Sequence, residues 1–195
     1  MQKMNDLSGA RRALLDRYLR GDLPQLASTT SAIPRRSSTD PAPLSFGQEQ
    51  LWLLARLMPE TPMYNESVTL RMRGHLDVSA LEKSLNEFIN RHEAWRTIFP
   101  VIDERPVQIV QPAMPLNLRV IDLSSLPETE REGEALRMAT ENALPPFDLA
   151  RGPLVRALLV HLNEADHRLY MSMHHIIFDA VAVYQIFLSE LHTLY

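Results

Sequence analysis

The sequence predicts an α/β fold: a mixed sheet sandwiched with layered helices. Three observations carry the prediction. Segments with apolar residues at helical spacing are interleaved with segments of period-two alternation. The two kinds mix without strict alternation, which points to layers of helix on sheet. And two apolar segments, 153–162 and 167–175, flank Asn163-Glu164-Ala165-Asp166, so they read as a hairpin.

Taken in order, residues 6–21 read as a short amphipathic helix with Ser8 as N-cap, Leu7, Ala10, Leu14, Tyr18 and Leu19 near one face, and Gly21 as its stop. Residues 22–43, rich in Pro, Ser and Thr, read as a linker, because such composition buries too little apolar surface to order itself. The helix ahead of it is then either a cap on the main domain or a docking element for another chain. The globular part begins at Leu44. Ser45 with Gln48 has the form of a capping box, opening a helix through Leu57 that ends before Pro59. Residues 66–74 alternate, with Val68, Leu70 and Met72 inward and Ser67, Thr69, Arg71 and Arg73 outward. Asp77 caps a helix whose stripe is Val78, Leu81, Leu85, Phe88 and Ile89. Strands are expected at about 95–102, 106–111 and 116–122. A helix is expected over 124–143, with Pro127 and acidic residues in its first turn, and another from Val181 to Tyr195.

The chain has 195 residues, 45% hydrophobic and 23% charged, with a formal net charge of −4, which fits one real core. Only Lys3 and Lys83 are lysines, and no basic stripe gathers on one segment, so a nucleic-acid footprint is excluded. There is no cysteine, which removes disulfides, thiol nucleophiles and zinc–thiolate sites. The N-terminus lacks the apolar core of a signal peptide and no apolar run could span a bilayer, making a cytoplasmic location the expectation.

The densest polar cluster in apolar surroundings is Met173-His174-His175-Ile176-Ile177-Phe178-Asp179-Ala180. In the preceding segment Leu169, Met171 and Met173 share one strand face, and Arg168, Tyr170 and Ser172 the other. On that alternation His175 continues the apolar face and His174 the polar one. An imidazole delivered into an apolar interior is neutral at physiological pH and serves as a proton acceptor. The competing readings are a hydrogen-bonded core histidine and a metal ligand. The second is disfavoured, because neighbouring strand residues diverge and no further close-spaced ligand completes a set.

Three motifs then stand in order. Ser45-Phe46-Gly47-Gln48-Glu49-Gln50-Leu51-Trp52 resembles the first core motif of condensation domains of nonribosomal peptide synthetases. Arg91-His92-Glu93-Ala94-Trp95-Arg96-Thr97-Ile98-Phe99 resembles their second, and the double-histidine run their third, HHxxxDG. Pro146-Phe147-Asp148-Leu149 with Gly152-Pro153-Leu154 matches the segment that usually precedes the third. The resemblance implies a chloramphenicol-acetyltransferase-like sandwich, of which residues 44–195 would be the N-terminal lobe only. It implies amide bond formation between a donor acyl or peptidyl thioester and the amine of an acceptor. Each would be carried on the phosphopantetheine arm of a carrier protein, with no cofactor or metal bound directly. The expected partners are donor and acceptor carrier proteins, with an upstream synthase reached through the N-terminal helix, and neither nucleic acid nor membrane.

Carried over residue by residue, the resemblance makes His175 the catalytic histidine, His174 a supporting residue beside it in the site, and Asp179 a structural aspartate whose partner is Arg96. A buried pair of that kind would fix the loop geometry. Gly47, Gln50 and Trp95 depart from the family's usual Ala, Arg and Leu away from the chemistry. Ala180 stands where the family has glycine, a place where backbone conformation or the close approach of the acceptor could require it. Trp52, Trp95 and Phe99 read as core. The rival readings are a non-catalytic half-domain for docking or scaffolding and an epimerization-type relative.

Overall fold

The computed structural model describes residues 40–195. The predicted helix at 6–21 and the linker up to residue 39 lie outside the described residues.

The central sheet has the order β2-β8-β7-β6, formed by β2 (Asn65–Arg73), β6 (Arg119–Asp122), β7 (Val155–Asn163) and β8 (Asp166–His174). The β7–β8 hairpin sits where the sequence places it, with Leu159 opposite Leu169 and Asn163 opposite Asp166. Strand β2 pairs antiparallel with β8 along its whole length, from Asn65↔His174 to Arg73↔Asp166. Strand β6 runs parallel to β7. A parallel neighbour needs a crossover, and helix α3 (Glu128–Ala143) supplies it. The sheet is therefore mixed, as predicted.

Helices cover both faces. On one face, Leu81, Leu85, Phe88 and Ile89 of α2 (Val78–Arg91) and Val183, Phe187 and Leu191 of the C-terminal helix join Leu159, Leu169, Met171 and Met173 in one core. On the other, Ala135 and Ala139 of α3 pack against Leu158, Val160, Leu162 and Tyr170. Two small residues let that helix lie close to the sheet. Because both faces are covered, β8 is buried at nearly every position, Arg168, Ser172 and His174 included. Arg168 meets this burial by pairing with Asp166 at 2.5 Å and with Glu132. The edge strand β2 keeps the alternation read from its sequence.

A smaller sheet gathers β1 (Ala42–Pro43), β3 (Thr97–Ile98), β4 (Val101–Ile102) and β5 (Arg105–Val110), the last pairing with each of the others. Ala42 and Pro43 thus belong to the fold, paired with Gln108 and Val107, although composition assigns them to the linker.

Other boundaries differ for local reasons. The strand expected from residue 95 starts as a 3-10 turn, Glu93–Arg96, held by Thr97 Oγ1 donating to the Glu93 carbonyl at 2.8 Å. The strand expected from 116 is ordered only from Arg119. The N–H groups of Leu116 and Leu118 are taken by Asn86 Oδ1 (2.6 Å) and Glu82 Oε1 (3.1 Å) of α2 instead of by a ladder. The helix expected from Ser124 starts at Glu128, since Ser124 N–H donates to Asp122 Oδ1 at 2.8 Å and Pro127 is extended. The C-terminal helix starts at Ala180, is π-helical over Ala182–Phe187, and ends as α4 (Leu188–Leu194).

Candidate active site

Three polar anchors shape the chain where β8 ends. The ladder closes at Asn65↔His174, and the next N–H, of His175, donates to the Tyr64 carbonyl at 2.9 Å. A single 3-10 turn, His175–Ile177, follows, and Phe178 returns to extended backbone at φ −153°. Ile176 N–H donates to Nδ1 of His174 at 3.1 Å. Nδ1 of His175 lies 3.2 Å from the Phe178 carbonyl.

This turn reverses the expected placement of the two histidines. The strand alternation stops at His174, so it does not carry His175 into the interior. His175 is half-buried, whereas His174 is 5% exposed, between Tyr64 and Phe147. The face read as polar is also a covered face, which is why His174 is inside. A cavity of about 660 Å³ opens beside His174, walled by Trp52, Phe99, Phe147 and Leu149 with Asn65 among its polar groups.

The backbone partners assign the protons. A carbonyl only accepts, so His175, when neutral, carries its proton on Nδ1 and its lone pair on Nε2. His174 accepts at Nδ1, so when neutral it carries its proton on Nε2. Burial, helped by the neighbouring His175, lowers the pKa of His174 from 6.5 to about 4 and keeps it neutral. Two adjacent histidines are thus fixed in opposite tautomers.

Asp179 and Arg96 do not pair. Asp179 is exposed and its Oδ1 accepts from Ala182 N–H at 2.8 Å, while its carbonyl accepts from Val183 N–H at 3.1 Å. It is the N-cap of the C-terminal helix. Arg96 donates from Nη1 to the Gln111 carbonyl at 2.5 Å and lies 3.7 Å from Glu93. It clips the second motif to the end of β5. The buried ion pair expected between them is replaced by a helix cap and a backbone clip, so Asp179→Ala costs about 1 kcal/mol, within the roughly 0.5–2 kcal/mol of a lost cap. Asp179→Asn, which caps equally well, stays near the parent. Urea midpoints of the two variants check this; a loss of 3 kcal/mol or more, on the order expected for a stranded buried charge, would contradict it.

The link between the second motif and the C-terminal helix runs through residues that sequence reading passed over. Glu190 Oε2 accepts from Arg91 Nη1 at 3.1 Å and lies 3.0 Å from His92 Nε2, and these partners, His92 first, hold its carboxyl below the usual range. Behind this link Trp95 stacks on Phe187 at 5.4 Å and meets Phe88 edge-on at 5.0 Å, which places Trp95 in the core as predicted. The signal for Glu190 was an acid on the polar side of the last helix, indistinguishable in sequence from a solvated one. Ala180 is exposed at the first helical position, and its φ is not positive, so the backbone there does not need glycine.

The first motif forms helix α1 (Phe46–Leu57) with both bonds of its capping box present. Its Trp52 indole donates to the Phe99 carbonyl of the second motif at 3.1 Å. So the motifs, distant in sequence, meet around one strand end. A family model described as a condensation domain matches residues 38–195. The chain belongs to the condensation domain family.

Relatives and solved structures agree with that membership. The chain is 46% identical over 153 residues to one of the linear gramicidin synthase proteins of Brevibacillus parabrevis, spanning 78% of this chain and 3% of that protein. It is 40% identical over 172 residues to phosphinothricin tripeptide synthetase PhsB of Streptomyces viridochromogenes, spanning 87% of this chain and 14% of that protein. The starter condensation domain of rhizomide synthetase RzmA shares the fold, with a TM-score of 0.74 at 23% identity over 80% of this chain and 39% of that one. The first condensation domain of the calcium-dependent antibiotic synthetase, in complex with a substrate analogue, gives 0.71 at 28% identity over 78% of this chain and 36% of that one. The sandwich predicted from sequence is therefore the condensation-domain fold, of which this chain spans about two fifths. Among the described residues no helix is long and apolar enough to cross a membrane.

Proposed function

We propose that residues 44–195 form the N-terminal lobe of a condensation domain that makes an amide bond between two carrier-bound substrates in the cytoplasm. The donor is an acyl or peptidyl thioester on a phosphopantetheine arm, and the acceptor is the amine of an aminoacyl thioester on another. The amine nitrogen attacks the donor thioester carbon, a C–N bond forms, the C–S bond breaks, and the donor arm leaves as its thiol. His175 takes or orients the amine proton at Nε2, and a proton returned to the departing sulfur closes the balance.

The observation that carries this reading is the bond between His175 Nδ1–H and the Phe178 carbonyl. It leaves the lone pair at Nε2, on a half-buried ring at the second position of the family's third motif. Asp179 supports the site by starting the helix that follows, Arg96 by holding the second motif, and Ala180 stands at the approach of the acceptor.

The test supplies the full polypeptide that carries this sequence with loaded donor and acceptor carrier proteins and follows the acceptor arm by mass spectrometry. The expected result is the donor group joined to the acceptor amine, dependent on both carriers. The isolated 195-residue chain is expected to be silent, because one lobe cannot hold both substrates in attack geometry. Inverted acceptor stereochemistry without any amide product would overturn the reading in favour of epimerization, and carrier binding without chemistry would favour a docking role.

A further inference from the structure

We infer that His174 is a positioning residue for His175, acting through its Nδ1 lone pair, which accepts the Ile176 N–H and so holds the one-turn helix that aims the His175 imidazole. The inference rests on the reading of His175 above as the reacting imidazole, and half of its test is independent of any activity.

The reason lies in what the backbone does when a ladder stops. Strand β8 loses its partner after His174, and the next N–H groups must find acceptors elsewhere. His175 N–H reaches Tyr64. Ile176 is 4% exposed, so its N–H has no access to bulk water, and the acceptor it finds is the ring of the residue two places before it. Without that acceptor a buried donor stays unpaired, and the cheapest relief is for the turn to rotate until the N–H meets water. His175 sits inside this turn, and its bond to Phe178 spans it. Rotation of the turn therefore moves the imidazole and releases its tautomer together.

The role needs a neutral ring with the proton on Nε2, and the surroundings favour that form: Tyr64 and Phe147 flank the ring, and no acid is bonded to it. Nε2–H makes no bond to protein among the described residues and is not sealed from the adjoining cavity, so Nδ1 is the nitrogen that does the holding. This predicts which substitutions spare function. In asparagine, Oδ1 falls where Nδ1 does and accepts the same N–H. In glutamine, Oε1 reaches toward the Nε2 position instead.

Two measurements decide it. On the 195-residue chain, long-range ¹H–¹⁵N correlation spectra of the imidazoles are expected to show His174 protonated at Nε2 and His175 at Nδ1. H174N keeps His175 at Nδ1, whereas H174Q releases it to the Nε2–H form that dominates in free imidazole side chains. In the full polypeptide H174N is expected to hold kcat within about threefold of the parent. H174Q lowers kcat on the order of a hundredfold with KM unchanged, the effect of a reacting group misplaced by about 1 Å. A parent His174 protonated at Nδ1, or an H174N as slow as H174Q, would overturn the inference, as would an H174Q that keeps the parent's spectrum and rate. If H174Q does not fold, the parent spectrum and H174N decide alone. If no amide forms with any variant, the spectra still test the positioning, and the failure belongs to the proposed reaction.

Discussion

Replacing His175 by alanine in the full polypeptide is expected to slow amide formation by on the order of a hundred- to ten-thousand-fold, the range of a positioned general base. The fold should survive. His175 is half-buried, and what its side chain gives the structure is one hydrogen bond to Phe178, worth about 1 kcal/mol. The paired measurements are single-turnover rates with loaded carriers and the unfolding midpoint of each protein. A loss of rate below tenfold with the fold intact would assign His175 to orienting the amine, with no net proton transfer. Unfolding by His175→Ala would mean that the turn itself depends on this ring, and the chemistry would have to be sought elsewhere.

The second large effect is on stability, and it follows pH. The pKa of His174 in the folded chain lies near 4, against an ordinary imidazole value of 6.5, chiefly because the ring is buried. The unfolded chain then binds the proton first. The stabilisation from keeping this ring neutral is fully present above about pH 6.5, is lost progressively as pH falls toward 4, and changes no further below that. A shift of this size corresponds to about 3 kcal/mol. His161 acts in the same direction, its pKa lowered first by burial and then by the neighbouring His167, to which it is hydrogen-bonded. Urea unfolding at pH 7 and pH 4.5 should show the loss. In H174N, which cannot take up the proton, most of the pH dependence should vanish. An H174N protein as acid-sensitive as the parent would place the dependence on other groups. Asp166, held near 2 by Arg71, contributes only at lower pH.

The sequence by itself determined the elements whose causes are local. The capping box at Ser45–Gln48, the Asp77 cap, the amphipathic stripe from Leu81 to Ile89 and the β7–β8 hairpin are each set by neighbours within a few residues. The three motifs likewise identified the family. Tertiary structure decided which side of a strand is inside and which charges meet. Arg168, Ser172 and His174 read as the polar face of β8, and they became interior because that face is covered, by α3 beside Arg168 and Tyr170 and by Tyr64 and Phe147 around His174, something no alternation pattern contains. Asp179 and Arg96 were read as partners. Their real partners are Ala182 and Gln111, because a helix start and a strand end offered backbone groups closer at hand. Where His175 points was decided by the end of a ladder. Tyr64, from a loop more than a hundred residues upstream, takes its N–H, and the ring of His174 takes the next. A backbone donor must be satisfied wherever its strand stops, and the group that satisfies it is fixed by packing across the fold.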